Sequence, residues 1–231
     1  MFHCHILNHE DEGMMAVLQI VRQGPAKVLP HHPQGWSLIG VPLASGEGCA
    51  SESEAMSTRR SPREYVREAC LRYGAAEVAR RSAALLRGAD PSGDEDFLRA
   101  LGFQGEMAWL LKEPNAYWAR VWGARALRYC WHDTVADAVL AGLHDDAWRV
   151  VEHCAVIVGG RELADGAPTL VVLSEHPVPR VRVAAARGLA TVGEREHIPS
   201  VLRLADDPER IVRAAAEQVL PRLRHRLDLD H

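Results

Sequence analysis

Nothing in this 231-residue chain approaches ~20 uninterrupted apolar residues, the length a membrane-crossing helix needs, so no membrane span is expected. The N-terminus has no positive stretch leading into an apolar run, so no export signal is read and a cytoplasmic protein is expected. Positive charge is not in excess. Against 31 Asp+Glu stand 27 Lys+Arg, a net charge of −4, which removes any global basic field drawing the chain to nucleic acid or anionic lipid. Cysteines number five (Cys4, Cys49, Cys70, Cys130 and Cys154), odd and without CxxC spacing, which predicts a reducing compartment and mostly inert thiols. What is present, 47% hydrophobic and 25% charged residues, suits an ordinary globular core.

Chemistry-bearing residues concentrate at the start of the chain. Within Met1–His9 stand His3, Cys4, His5 and His9, with Met14 ten residues after the cysteine. Ala16–Val21 is apolar and rich in β-formers, a strand by composition. If residues 2–6 are also extended, the two-residue period sets His3 and His5 on one face and Cys4 on the other. One segment then offers a thiolate on one side and an imidazole pair on the other. Thiolate, imidazole and a weak thioether together suit a blue-copper electron-transfer centre.

This spacing resembles the C-terminal copper motif of the multicopper oxidases, the laccase and copper-efflux-oxidase family. The resemblance covers His3-Cys4-His5, His9, Met14 and the strand closing at Val21, roughly the first tenth of the chain. It implies that Cys4 and His9 are type 1 copper ligands with Met14 axial, and that His3 and His5 belong to the trinuclear cluster that reduces dioxygen. The family also uses a second type 1 histidine and three further His-x-His pairs, which this chain does not supply. Residues 1–22 are therefore read as a truncated, β-rich piece of a cupredoxin-type domain, not catalytically complete alone. Met1 is expected to be an internal methionine of that older frame.

Residues 23–61 are punctuated by glycine, proline and serine without sustained periodicity and read as a flexible linker. His31 and His32, adjacent within it, have no partner at ligand spacing. Only Arg22 and Lys27 are basic in residues 1–55; from Met56 onward the composition shifts, as if a separate helical protein began there.

Ser61-Pro62-Arg63-Glu64 predicts a helix start, with a cap, a proline at the first helical position and an early acid. Helices are expected at 62–73, 75–88 and 94–102. Beyond them a repeat is visible. Arg120, Arg149, Arg182 and Arg213 each lead a run of small and apolar residues, 29, 33 and 31 residues apart by subtraction. A turn precedes each: Glu113-Pro114-Asn115, His144-Asp145-Asp146, His176-Pro177 and Asp206-Asp207-Pro208. Shorter apolar helices are expected before the turns, near 105–112, 133–143, 167–174 and 197–205.

Four such helix pairs, clearest in Val181-Arg182-Val183-Ala184-Ala185-Ala186 and Val212-Arg213-Ala214-Ala215-Ala216, resemble HEAT repeats. The expected fold of residues 62–231 is thus a mainly α structure, an α-solenoid in which each pair buries its open face against the next. The recurring arginine is read as structural, bonding to a turn carboxylate or carbonyl, with Asp145 and Asp146 serving Arg149. Trp109, Trp118, Trp122, Trp131 and Trp148 are read as core under the N-terminal end. Cys70, Cys130 and Cys154 are read as buried thiols, and His132, His144, His153, His176 and His197 as capping residues at turns and helix ends. No nucleophile motif, phosphate loop or acid pair recommends catalysis in this region. Residues 116–231 hold 15 Lys+Arg against 16 Asp+Glu, so nucleic acid is not expected as partner.

Two functions follow. The first is a HEAT-type module that binds another protein along its solenoid surface and carries a remnant copper segment. The alternative is a copper-dependent oxidoreductase, or a fragment of one, coupling one-electron substrate oxidation to dioxygen reduction.

Overall fold

The Ser61 hydroxyl accepts the Glu64 amide at 3.4 Å while the Glu64 carboxylate accepts the Ser61 amide at 2.6 Å, so both orphan donors at the helix start are satisfied. With Pro62 next, this capping box opens helix α1, Pro62–Tyr73. Gly74, at φ 85°, breaks the chain and admits α2, Ala75–Leu86. In this computed structural model residues 60–229 are described, and every regular element among them is helical. The copper-motif residues and the β-rich segment lie outside the described residues, as does nearly all of the linker.

After α2 come α3, Glu95–Ala100, and the single-turn α4, Met107–Leu110. The remainder alternates short and long helices: α5 Tyr117–Leu127, α6 Ala136–Gly142, α7 Trp148–Gly160, α8 Ala167–Leu173, α9 Pro179–Val192, α10 Ile198–Arg203 and α11 Arg210–Arg226. The three N-terminal helices fall where the sequence puts them, and the short helices come out shorter. Each of α6, α8 and α10 is preceded by a three-residue 3₁₀ turn, which before α6 and α10 takes part of the expected helix.

The repeat is stricter in space than in sequence. The long helices begin at 117, 148, 179 and 210, and 148−117, 179−148 and 210−179 are each 31. The short helices begin at 136, 167 and 198, again 31 apart, and their 3₁₀ lead-ins at 133, 164 and 195. The uneven arginine spacing of 29, 33 and 31 is therefore corrected. Arg120, Arg182 and Arg213 share one register with Val151, and Arg149 belongs to a different one with Trp118, Arg180 and Ile211. Arg149, two residues off the register, misleads because it leads an otherwise similar apolar run.

The long helices stack on one another and the short ones pack outside them. Ala119, Val150, Val181 and Val212, one register, are all buried, as are Val139, Leu170 and Val201 from the short helices. Small residues set the closest approaches. A Cβ on Gly123 would lie 2.4 Å from the Ser82 carbonyl oxygen of α2, and one on Gly159 would lie 2.9 Å from the Cα of Gly188 in α9. Glycine at these crossings lets helix backbones touch, which sums into an uninterrupted apolar core.

Candidate functional site

Three turns that link short to long helices are built alike. The amide of Ala147 donates to Asp145 Oδ1 at 2.8 Å, that of Glu209 to Asp207 Oδ1 at 2.8 Å, and that of Val178 to His176 Nδ1 at 3.0 Å. Asp145, His176 and Asp207 stand 31 apart and each satisfies a helix-start donor. The two aspartates are clasped from the preceding long helix. Arg120 donates to Asp145 at 2.7 and 3.0 Å and to Asp146 at 2.6 Å, and Arg182 donates to both oxygens of Asp207 at 2.7 and 2.8 Å. Arg182 also donates to the carbonyls of His176 and Pro177, at 2.8 and 3.2 Å, and Arg213 to those of Asp207 and Pro208.

The recurring arginine is thus structural, as the sequence suggests, and the carboxylates of Asp145 and Asp146 are clasped by Arg120 from the preceding long helix. A long side chain reaches forward to the next repeat's turn, which a reading confined to one repeat does not find. Burial pushes the Asp207 carboxyl upward, but Arg182 and the Glu209 amide outweigh it and hold the group below the ordinary carboxylate range.

Arg149 has another environment. Its guanidinium lies 5.1 Å from the Trp118 ring centre and 4.3 Å from that of Trp148, and Arg180 lies 5.6 Å from Trp148. Arg180 Nε donates to Glu152 at 2.9 Å. Trp118 meets Tyr117 at 5.2 Å and Trp109 at 6.5 Å. Of these tryptophans only Trp122 is core, edge-on to Phe103 at 5.8 Å; Trp109 is 37% exposed, and Trp118, Trp131 and Trp148 are half-buried. The core reading thus holds for Trp122; Trp118, Trp131 and Trp148 pack half-buried against the core, and Trp109 is corrected to an exposed position. Residue size favours burial, but the start of a long helix lies at the edge of the stack, where only the inner face is covered.

The exposed and half-buried positions of α5, α7, α9 and α11 recur at helical spacing: Trp118 and Arg125, Arg149, Glu152 and Val156, Arg180, Val183 and Arg187, then Ile211 and Gln218. The four helices carry eleven arginines and only two acids, Glu152 and Glu217. The near-neutral balance of residues 116–231 therefore hides a segregation, because acids such as Asp133, Asp137, Asp165 and Glu196 sit on the short helices and their lead-ins.

His153 lies within this face, mid-helix in α7, not at a helix end as expected. Burial first, and then Arg128, Arg125, Arg180 and Arg149, push its imidazole down to about 3, and Arg128 Nη1 stands 3.3 Å from its Nδ1. The ring is neutral and accepts from the guanidinium. His132, His176 and His197 do accept amides at turns, as expected.

Cys70 and Cys130, 60 residues apart, bring their sulfurs to 2.9 Å, a contact invisible in their spacing. Burial, then Cys70, raise the Cys130 thiol to about 12, and burial also raises Cys154, so both are protonated and poor nucleophiles. Among the described residues no three His, Cys, Asp or Glu side chains gather as a metal site, and no helix is long and apolar enough to cross a membrane. His3, Cys4, His5, His9 and Met14 lie outside the described residues.

Residues 136–221 match the family model described as HEAT repeats. The match opens on the first residue of α6 and ends inside α11, so it spans three short-long pairs. No curated protein and no solved structure matches the chain. The mainly helical, HEAT-like architecture is thus supported both by the family model and by the geometry.

Proposed function

We propose that residues 61–231 act as a protein-interaction module whose partner lies along the exposed face of α5, α7, α9 and α11. The observation that carries this is the common register of Trp118, Arg149, Arg180 and Ile211, which the 31-residue period lines up on successive helices. Side chains repeated on stacked rigid helices make a continuous, preformed surface, the arrangement by which solenoids bind extended partners. The test is photo-crosslinking of the full chain in extracts of its own cells, with a crosslinking residue at Gln218 on this face or at Asp137 on α6. The same protein captured at Gln218 and not at Asp137 supports the reading; equal capture at both positions overturns it.

A second reading rests on the spacing of His3, Cys4, His5, His9 and Met14. We propose that this segment holds copper weakly or as part of a larger site, with Cys4 and His9 as principal ligands, Met14 axial and His3 and His5 facing away. Copper so held would supply one-electron chemistry. Loading the full chain with copper and recording its visible spectrum tests this: a thiolate-to-copper band lost in Cys4→Ser supports it, and no such band removes it. The cytoplasmic location rests on the sequence alone.

A further inference from the structure

We propose that the partner surface received by α5, α7, α9 and α11 is an extended acidic segment carrying apolar side chains at its ends, held by Arg149, Arg180 and Arg187 between Trp109 and Ile211. This deepens the interaction reading and rests on it.

Three observations carry the choice of ligand chemistry. The first is charge. Across α5, α7 and α9 the outward positions hold Arg125, Arg149, Arg180 and Arg187, with Glu152 as their single acid. A field of one sign attracts and orients a segment of the other sign.

The second is that the face already binds one carboxylate. Glu152, on α7, accepts from Arg180 Nε on α9 at 2.9 Å, with only 16% of its side chain exposed. Between α7 and α9 a carboxylate thus meets a guanidinium at hydrogen-bond distance. The arginines are also held in place by rings, Arg149 by Trp118 and Trp148 and Arg180 by Trp148. A guanidinium packed on an indole is restricted in its motion, and its planar fork suits carboxylates better than an ammonium does. Less side-chain freedom is then lost on binding.

The third is the apolar character at both ends of the row. Trp109 is 37% exposed and Ile211 50% exposed, with Val156 and Val183 half-buried between the arginines. Helices packed about 10 Å apart place Trp118 and Ile211 roughly 30 Å from one another, a length matched by about nine extended residues. Acids at the centre and apolar residues at the ends would meet their complements in that span.

A phosphodiester backbone is the competing occupant, and the aromatic rings argue against it. Single-stranded nucleic acid bound on such a face uses open ring faces for base stacking. Here the Trp118 ring is engaged by Tyr117 and Arg149, and the Trp148 ring by Arg149 and Arg180.

The test uses the full chain and fluorescence anisotropy with three labelled probes: a twelve-residue peptide of alternating Asp and Glu with Leu at each end, its Asn/Gln counterpart, and a twenty-nucleotide oligothymidylate. The acidic peptide is expected to bind with salt-sensitive affinity, and the amide counterpart on the order of tenfold or more weakly. Arg149→Gln and Arg187→Glu should each weaken the acidic peptide on the order of tenfold, while Arg203→Gln, on α10, should leave it unchanged. Arg187 is exposed, so its reversal leaves the core intact, and thermal melts of each variant verify folding. Equal binding of the acidic and amide peptides, or no binding of either, overturns the proposal. So does an oligothymidylate that binds more tightly than the peptide and competes with it, which would make nucleic acid the occupant. If crosslinking at Gln218 captures a partner while the acidic peptide fails, the interaction module stands and only its ligand chemistry is wrong.

Discussion

The joint between α7 and α9 and the joint between α9 and α11 have the same period and the same helix pairing but different chemistry. At the second, Arg182 grips both oxygens of Asp207 in a pair 11% and 7% exposed. At the first, the corresponding positions are Val151 and His176, and that clasp is missing. The joint closes instead by backbone approach at Gly159 and Gly188, by the Thr191 hydroxyl donating to the Gly159 carbonyl at 3.0 Å, and by Arg180 with Glu152 on the open face. A solenoid needs each crossing to be close and satisfied, not identical. The geometric repeat is therefore stricter than the residue repeat, and the joint without a clasp is the one that holds the arginine-rich face together.

Breaking the clasp should have the largest effect. Arg182→Met leaves Asp207 buried without its cation and is expected to lower stability by about 3–5 kcal/mol, read as a shift in urea midpoint. The more exposed Arg120 pair should lose less under the same substitution, on the order of 1 kcal/mol. Equal losses would mean the buried pair has no special part. Next, Gly159→Ala puts a methyl 2.9 Å from the Cα of Gly188 and should destabilise by about 1–3 kcal/mol, with the loss confined to the unclasped joint.

The comparison can be sharpened by transplanting the clasp. Val151→Arg alone should destabilise, because a guanidinium enters a buried position without a carboxylate, and adding His176→Asp should recover part of the loss. A double-mutant cycle is expected to give a favourable coupling of about 0.5–3 kcal/mol; zero coupling would show that the joint cannot accommodate the pair. The last effect, spread over several pH units, is on pH dependence. The folded His153 titrates near 3 and the unfolded one near 6.5, so below pH ~6.5 the unfolded chain takes up a proton that the folded chain refuses. Stability is full above that pH and falls towards pH 3 by at most ~1.4 kcal/mol per pH unit. His176, also lowered by burial, adds in the same direction. His153→Gln should flatten the slope between pH 6.5 and 4.5, above the range where the carboxylates titrate.

Much of the fold is legible in the residues. Ser61-Pro62-Arg63-Glu64 announces its helix because capping is local, and Gly74 ends it for the same reason. The long helices show through their small-residue runs, and the turns through Asp, His and Pro. The forward reach of Arg120 to Asp145 is not legible, since a contact across 25 residues has no local signature. Nor is the exposure of Trp118 and Trp148, which depends on where the stack's edge falls. A register count of 31 from His176 back to Asp145 and on to Asp207 is the signal that would have exposed both the clasp and the place of Arg149. For the proposed copper segment, only the spacing of His3, Cys4, His5, His9 and Met14 speaks.

By itself, the sequence determined that residues 62–229 are mainly helical and that their later part is repetitive, because caps, turns and apolar periodicity act within one or two helical turns. Only the tertiary structure decided the true register, the pairing of each arginine and the segregation of arginines onto the long helices. Those properties come from stacking, which brings together residues about 31 positions apart and separates near neighbours onto opposite faces. A segment of nearly balanced charge thereby gathers most of its arginines on the long helices.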